Sequence, residues 1–263
     1  MLSKSKIRCS NFRKRILQMS QNVEALHISS AFSSTEIVEN IYFNLMKKKN
    51  DKYIDKFLMS KGHGCLIQYV ILEHLKILKK RDIELYCKKS GILGCHPDIE
   101  NPGIEASTGS LGHGLPMALG ICIANKKKKN KSKCFVVISD GELQEGSTWE
   151  AILLASSLKL NNLIVFVDNN NYQSLGKTST THPSFYPLLD KFKSFKWDVK
   201  EVEGHNTKQL FNSFNTWKQK KPLMVIAKTI KGYPVDFMID NPIWHYRSPN
   251  KEELERAIRQ IDK

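Results

Sequence analysis

The chain has 263 residues, 41% hydrophobic and 25% charged, ordinary proportions for a globular protein and enough to bury one sizeable core. No apolar run reaches the ~20 residues that span a bilayer, so no membrane association is expected. The net charge of +15 raises nucleic acid as a partner, but the lysines fall in separate clusters, Lys47–Lys49, Lys126–Lys133, Lys191–Lys200 and Lys218–Lys221, with no interleaved aromatic residues to stack on bases. A solvated basic face matched to an acidic protein partner fits better than nucleic acid.

The first twenty residues contain no acid and several Lys, Arg and Ser, as transit peptides do. Apolar Phe12, Ile16, Leu17 and Met19 nevertheless recur at helical spacing, which predicts a basic first helix from about residue 11. Ser33 and Glu36 have capping-box spacing ahead of an amphipathic helix, and the loop before them holds His27. Ser60-Lys61-Gly62-His63 precedes a long apolar helix, placing His63 at a helix N-terminus, where anions are attracted. His74, deeper in that helix, reads as packing or surface. Glu105 to Gly114, EASTGSLGHG, is a glycine-rich loop that opens a helix and lets backbone approach a ligand closely. Its spacing does not match a GxGxxG fingerprint.

The stretch from Cys134 to Gly176 organises the rest. CFVVIS is a short β-branched run ended by Asp140-Gly141. Ser147 and Glu150 again have capping-box spacing, predicting a helix from about Ser147 to Leu160. LIVFV is a second buried strand, broken by Asp168-Asn169-Asn170-Asn171. Strand–helix–strand of this size is a parallel crossover unit, which sets Asp140 and Asn170 side by side past the carboxyl ends of neighbouring strands. The Asp140 carboxylate, the Asn170 amide oxygen and a carbonyl near Tyr172 offer three hard oxygens to Mg²⁺, leaving positions for diphosphate oxygens and water. Gly141 lets its N–H approach a phosphate. Either turn alone would be an ordinary strand ending; the pair, about thirty residues apart, is a narrower pattern.

Beyond Gly176 the pattern continues with a helix over about Ser184–Phe195, strand WDVKEVEG, a helix through Leu210 and Trp217, strand PLMVIAKTI and a terminal helix KEELERAIRQI. The fold class is α/β: a single three-layer α/β/α domain over residues 1–263 with a mostly parallel sheet. Six cysteines form no CxxC pair, and Cys65, Cys122 and Cys134 read as buried free thiols, which suits a reducing, cytoplasmic compartment.

DGELQEGSTWEA followed by LIVFVDNNNYQSLG resembles the thiamine-diphosphate motif of the transketolase family, with Ser139 where that family has its first Gly. SKGH, Cys95-His96-Pro97 and Asn241-Pro242-Ile243-Trp244-His245 resemble further motifs of the same family, and the likeness runs from about residue 11 to the C-terminus. His27 matches a family histidine, although Leu26-His27-Ile28-Ser29 departs from Gly-His-Pro-Gly; His113 stands where Gln is usual and is read as structural.

The resemblance implies a thiamine-diphosphate-binding fold, with thiamine diphosphate and Mg (or Ca or Mn) as cofactors. It implies catalytic roles for His27, His96 and His245. Cofactor contacts would come from His63, Gly109, Leu111, Gly141, Glu145, Asn170 and His245, and metal contacts from Asp140, Asn170 and Tyr172. Glu145 matches the glutamate that links paired active sites across the dimer. The glutamate that activates the cofactor lies, in that family, in a pyrimidine-binding domain that these residues do not include.

The implied activity is therefore transfer of a two-carbon ketol unit from a ketose to an aldose by the N-terminal subunit of a two-subunit enzyme. Its partner would carry the pyrimidine-binding domain, a homodimer of this chain is implied, and sugars or sugar phosphates are the substrates. A 2-oxo acid dehydrogenase-like or deoxyxylulose-phosphate synthase-like component, and a non-catalytic regulatory subunit, stand as alternatives.

Overall fold

The computed structural model describes residues 2–23, 26–174 and 176–262. Five parallel strands form the sheet, in the spatial order Lys56–Met59, Cys134–Ser139, Leu163–Asn169, Leu223–Lys228, Asp198–Glu203. The three central strands are apolar at nearly every position because both faces are covered. The period of two sorts their side chains. Phe135, Val137, Ile164, Phe166 and Val225 face one apolar layer, with the helices Leu2–Ser20, Leu66–His74 and Lys251–Ile261. Val136, Ile138, Val165, Val167 and Ile226 face the other, with Gly114–Lys127, Gly146–Ser157 and Leu188–Ser194. The architecture is the three-layer α/β/α arrangement read from the sequence.

Several local expectations need correction. The first helix begins at Leu2, well before the apolar spacing starts. Ser147 caps nothing: the helix starts at Gly146 with Glu145 at its N-cap, and Ser147 Oγ donates to the Gly112 carbonyl at 2.8 Å. That helix stops at Ser157, short of Leu160. Ser33 is likewise not a cap, since it ends the Ile28–Ser33 helix and its hydroxyl donates to Asp168 Oδ2 at 2.6 Å. Thr35–Asn40 is buried on every side rather than amphipathic. The helix expected over Ser184–Phe195 is confined to Leu188–Ser194, behind Pro187, whose fixed φ and missing N–H suit a start. Trp217 lies past the end of the Thr207–Asn215 helix.

Cys65, Cys122 and Cys134 are free and buried as expected, and so is Cys9. His74 packs edge-on to Phe12 and Phe43, at centroid distances of 5.4 and 5.7 Å. Lys47 and four lysines of the Lys126–Lys133 cluster, far apart in sequence, line one cleft at the amino-terminal end of the sheet, with no aromatic side chain in its lining. No described helix is long and apolar enough to cross a membrane.

Candidate functional site

In-register pairing of Ser139 with Asp168 brings the two loops together at the carboxyl edge of the sheet. A cleft of about 370 Å³ opens there. His27, His63, His96, Gly109, Leu111, Gly141, Glu145, Asn170, Tyr172 and His245 all line it, which is every site residue read from the sequence except Asp140, buried just beneath. Leu175, within the second half of the motif, lies outside the described residues.

Four histidines from four separate segments converge. The His27 ring lies 5.3 Å from His63, 6.3 Å from His96 and 5.0 Å from His245, and His63 lies 5.7 Å from His245. His63 sits in the turn Gly62–Gly64, just ahead of the Leu66–His74 helix. Close backbone approach makes this possible. A Cβ on Gly62 would meet the Gly109 nitrogen at 2.7 Å, and one on Gly109, whose φ is +152°, would meet the His96 ring at 2.8 Å.

Burial, followed by the charges of neighbouring groups, pulls the histidines down: His27 to about 4, His245 to about 3, and His63 well below its ordinary value. Burial also lowers His96. They are therefore neutral near pH 7 without a ligand, rather than poised to titrate there, and a bound anion would raise them. The unfolded chain binds protons at these positions below pH ~6.5 while the fold resists them, so stability is present above that pH and falls as acid is added. Asp140 and Glu142, which burial raises to about 7, act in the opposite sense over the same window, so the histidine contribution is read as a difference: we expect His27→Gln to gain on the order of 1 kcal/mol relative to wild type between pH ~6.5 and ~4, after discounting for solvent. Parallel thermal melts of wild type and His27→Gln across this window, with no pH-dependent difference between them, would refute the assignment.

Two lysines not nominated from the sequence share the cleft. Lys61 is fully buried; its Nζ donates to the Ser30 carbonyl at 2.9 Å and to Asp168 Oδ2. Lys231, 4% exposed, has Nζ 2.8 Å from His245 Nδ1 and 3.4 Å from the Gln173 carbonyl. Burial, then the Lys61 charge, lowers it to about 8. The Lys61 charge is matched by Asp168, so Lys231, beside four imidazoles that can donate, supplies the positive charge that suits an anion. In a chain with 41 Lys and Arg, no local pattern singles these two out.

The metal-competent set also fits its chemistry. Asp140 is fully buried; Oδ1 accepts from the Gly141 N–H at 2.9 Å and Oδ2 from Asn171 N–H at 2.6 Å and Tyr186 O–H at 3.0 Å. Burial, then the nearby Asp168 charge, raises it to about 7, a cost that a cation would remove. A Cβ on Gly141 would lie 3.7 Å from the Tyr172 carbonyl oxygen, so that carbonyl lies close to the residue that follows Asp140. Asn170 Nδ2 donates to Ser33 Oγ and Asp168 Oδ2, both at 3.3 Å, which fixes which end of the amide is the oxygen; Oδ1 accepts from Tyr172 N–H at 2.9 Å. Among the described residues no three His, Cys, Asp or Glu side chains gather as a metal site. The protein therefore offers a partial oxygen set, as a metal shared with diphosphate needs.

Ser139, the departure from Gly-Asp-Gly, accepts the Glu142 N–H on its hydroxyl at 3.1 Å and so stiffens the turn. Glu142 follows in the same turn. Fully buried, it binds Ser60 Oγ and the Gly112 N–H with Oε1, tying the glycine-rich loop to the Asp140 loop. Glu145 is exposed at the rim.

A parallel α/β sheet with a cationic, oxygen-lined cleft at its carboxyl edge defines a protein with a site suited to an anionic ligand. The chain belongs to the transketolase family: the family described as "Transketolase, thiamine diphosphate binding domain" matches residues 8–260. It is similar to one of the subunits of the apulose-4-phosphate transketolase of Phocaeicola vulgatus, at 34% identity over 95% of this chain and 90% of that protein. It is also similar to a 6-deoxy-6-sulfo-D-fructose transketolase subunit of a Clostridium species, at 31% identity over 95% of this chain and 94% of that protein. The solved transketolase of Campylobacter jejuni, 24% identical, has the same fold, with a TM-score of 0.89 over 98% of this chain and 43% of that one.

Proposed function

We propose that this chain is the diphosphate- and metal-holding subunit of a two-subunit transketolase, which moves a two-carbon ketol unit from a ketose to an aldose. The observation that carries the reading is the convergence of His27, His63, His96, His245, Lys61 and Lys231 on one cleft beside Asp140 and Asn170. When bound, thiamine diphosphate supplies the nucleophilic carbon for ketol transfer. Asp140, the Asn170 amide oxygen and the Tyr172 carbonyl would hold Mg²⁺, or Ca²⁺ or Mn²⁺ in its place. Lys231 would neutralise the diphosphate and His63 orient it, while Gly141, without a side chain, would let it approach the Asp140 loop closely. Gly109 and Leu111 would give the cofactor a close wall. His27, His96 and His245, neutral and able both to donate and to accept, would bind sugar hydroxyls and carry protons at the reacting oxygens.

The names of the whole-length relatives support a subunit that works with a partner and a sugar bearing a phosphate or sulfonate. Exposed Leu153 and Leu154 on the Gly146–Ser157 helix, Leu158 just past its end, and exposed Met117 on the neighbouring Gly114–Lys127 helix support pairing of two such chains. Glu145 heads that helix and would lie near the pair.

The expected result is that the purified chain with Mg²⁺ and thiamine diphosphate shows no ketol transfer across a panel of ketose and aldose phosphates, and gains it on addition of a pyrimidine-binding partner. Robust turnover by the chain alone would overturn the split-enzyme reading.

A further inference from the structure

We propose that His205, outside the cleft, is a positioning residue that holds Lys231 in it. The strand Leu223–Lys228 ends at the cleft, and the segment Thr229–Gly232 must turn there to aim the Lys231 side chain inward. One side of that turn is anchored to the sheet, where Thr229 N–H donates to the Asn169 carbonyl at 3.1 Å and Thr229 Oγ1 to Asp168. On the other side the Ile230 N–H donates to His205 Nε2 at 2.9 Å. The backbone next to Lys231 is thus pinned from both directions.

The ring is itself held for this task. Nε2 can accept only if the proton sits on Nδ1, and Nδ1 lies 2.9 Å from Glu36 Oε2. Glu36 is gripped at both oxygens by Arg13, at 2.6 and 2.7 Å, and Arg13 also donates to the Phe32 carbonyl at 3.0 Å. Arg13 and Glu36 are 3% and 6% exposed, so neither readily swings away. The Tyr233 ring stacks on His205 at a centroid distance of 4.0 Å. These groups line a separate cavity of about 500 Å³ that contains none of the cleft histidines. A chain of contacts therefore runs from Arg13 through Glu36 and His205 to the peptide beside a cofactor-facing cation, and fixes the tautomer that the last link needs.

The test compares His205→Phe, which keeps the stacking ring but accepts nothing, with His205→Gln, whose amide oxygen can still accept. Two readouts need no enzymatic activity: hydrogen exchange of the peptide covering 229–232, and acetic anhydride labelling of Lys231 at one fixed pH, both by mass spectrometry. We expect exchange and labelling to rise about tenfold at this segment alone in His205→Phe, and His205→Gln to restore both. The third readout, which rests on the function proposed above, is the KM for thiamine diphosphate in the complex with its partner; it should rise about tenfold, with kcat within twofold. If His205→Phe fails to fold, His205→Ala replaces it. Unchanged exchange and labelling, or a rise spread through the whole sheet, overturns the positioning role. A wild-type complex that binds no cofactor sinks the function proposed above and leaves the first two readouts to decide the role of His205.

Discussion

Asp140→Ala should abolish metal-dependent thiamine-diphosphate binding while leaving the ligand-free fold intact. Asp140 is the one carboxylate in the oxygen set, and its removal leaves an amide and a carbonyl to hold a strongly hydrated dication. Loss of an outer-shell partner alone typically lowers metal affinity by ~10–100-fold, so loss of the carboxylate should exceed ~100-fold. The ligand-free fold should tolerate the change. Burial already pushes this carboxyl up to about 7, so its charge opposes folding at neutral pH. The wild-type complex should gain roughly 3 kcal/mol of apparent stability at 100 times the cofactor Kd, and the variant none. Calorimetry and thermal melts of the assembled complex check both halves. Unchanged cofactor affinity in Asp140→Ala would refute the metal assignment.

The part of the site that was legible in the sequence is the part written in short-range pattern. CFVVIS and LIVFV are continuous apolar runs because both sheet faces are covered, and the polar residues that end them mark the ligand edge. Asp140 and Asn170 stood out for that reason. Lys61, Asp168 and Lys231 did not, because their meaning lies in burial and in partners far along the chain, as the 107-residue separation of Lys61 and Asp168 shows. Ser33 and Ser147 show the converse failure. Each has a glutamate three residues on, the local signature of a cap, yet each hydroxyl serves a distant group instead, Asp168 in one case and the Gly112 carbonyl in the other. A capping pattern and a long-range hydrogen bond use the same residue types, and only the fold separates them.

The buried pair Lys61–Asp168 should carry the largest stability effect in the molecule. Both side chains are fully buried, and Asp168 also accepts from Ser33 Oγ, Thr229 Oγ1 and Asn170 Nδ2. Lys61→Met removes one charge and leaves the other in the dry interior with only neutral donors, a loss on the order of 3–5 kcal/mol. For a domain of this size that lowers Tm by about 10 °C. Asp168→Asn strands Lys61 in the same way and adds a second defect. Its new N–H₂ group sits at the Oδ1 position, where the Thr229 hydroxyl can accept, because Lys61 and Asn170 offer only donors at Oδ2; the neutral amide oxygen left there holds Asn170 Nδ2 less firmly than a carboxylate does. Lys61→Met should therefore act mainly on stability and diphosphate charge, whereas Asp168→Asn should also weaken Mg²⁺ binding about tenfold or more. The double variant, with no buried charge left at this pair, should regain part of the lost Tm, because the penalty comes from the unpaired partner. Melts of the three variants, with Mg²⁺ titrations of the complex, decide the matter. Strictly additive Tm losses, or an Asp168→Asn variant with wild-type metal affinity, would show that the pair neither compensates itself nor orients Asn170.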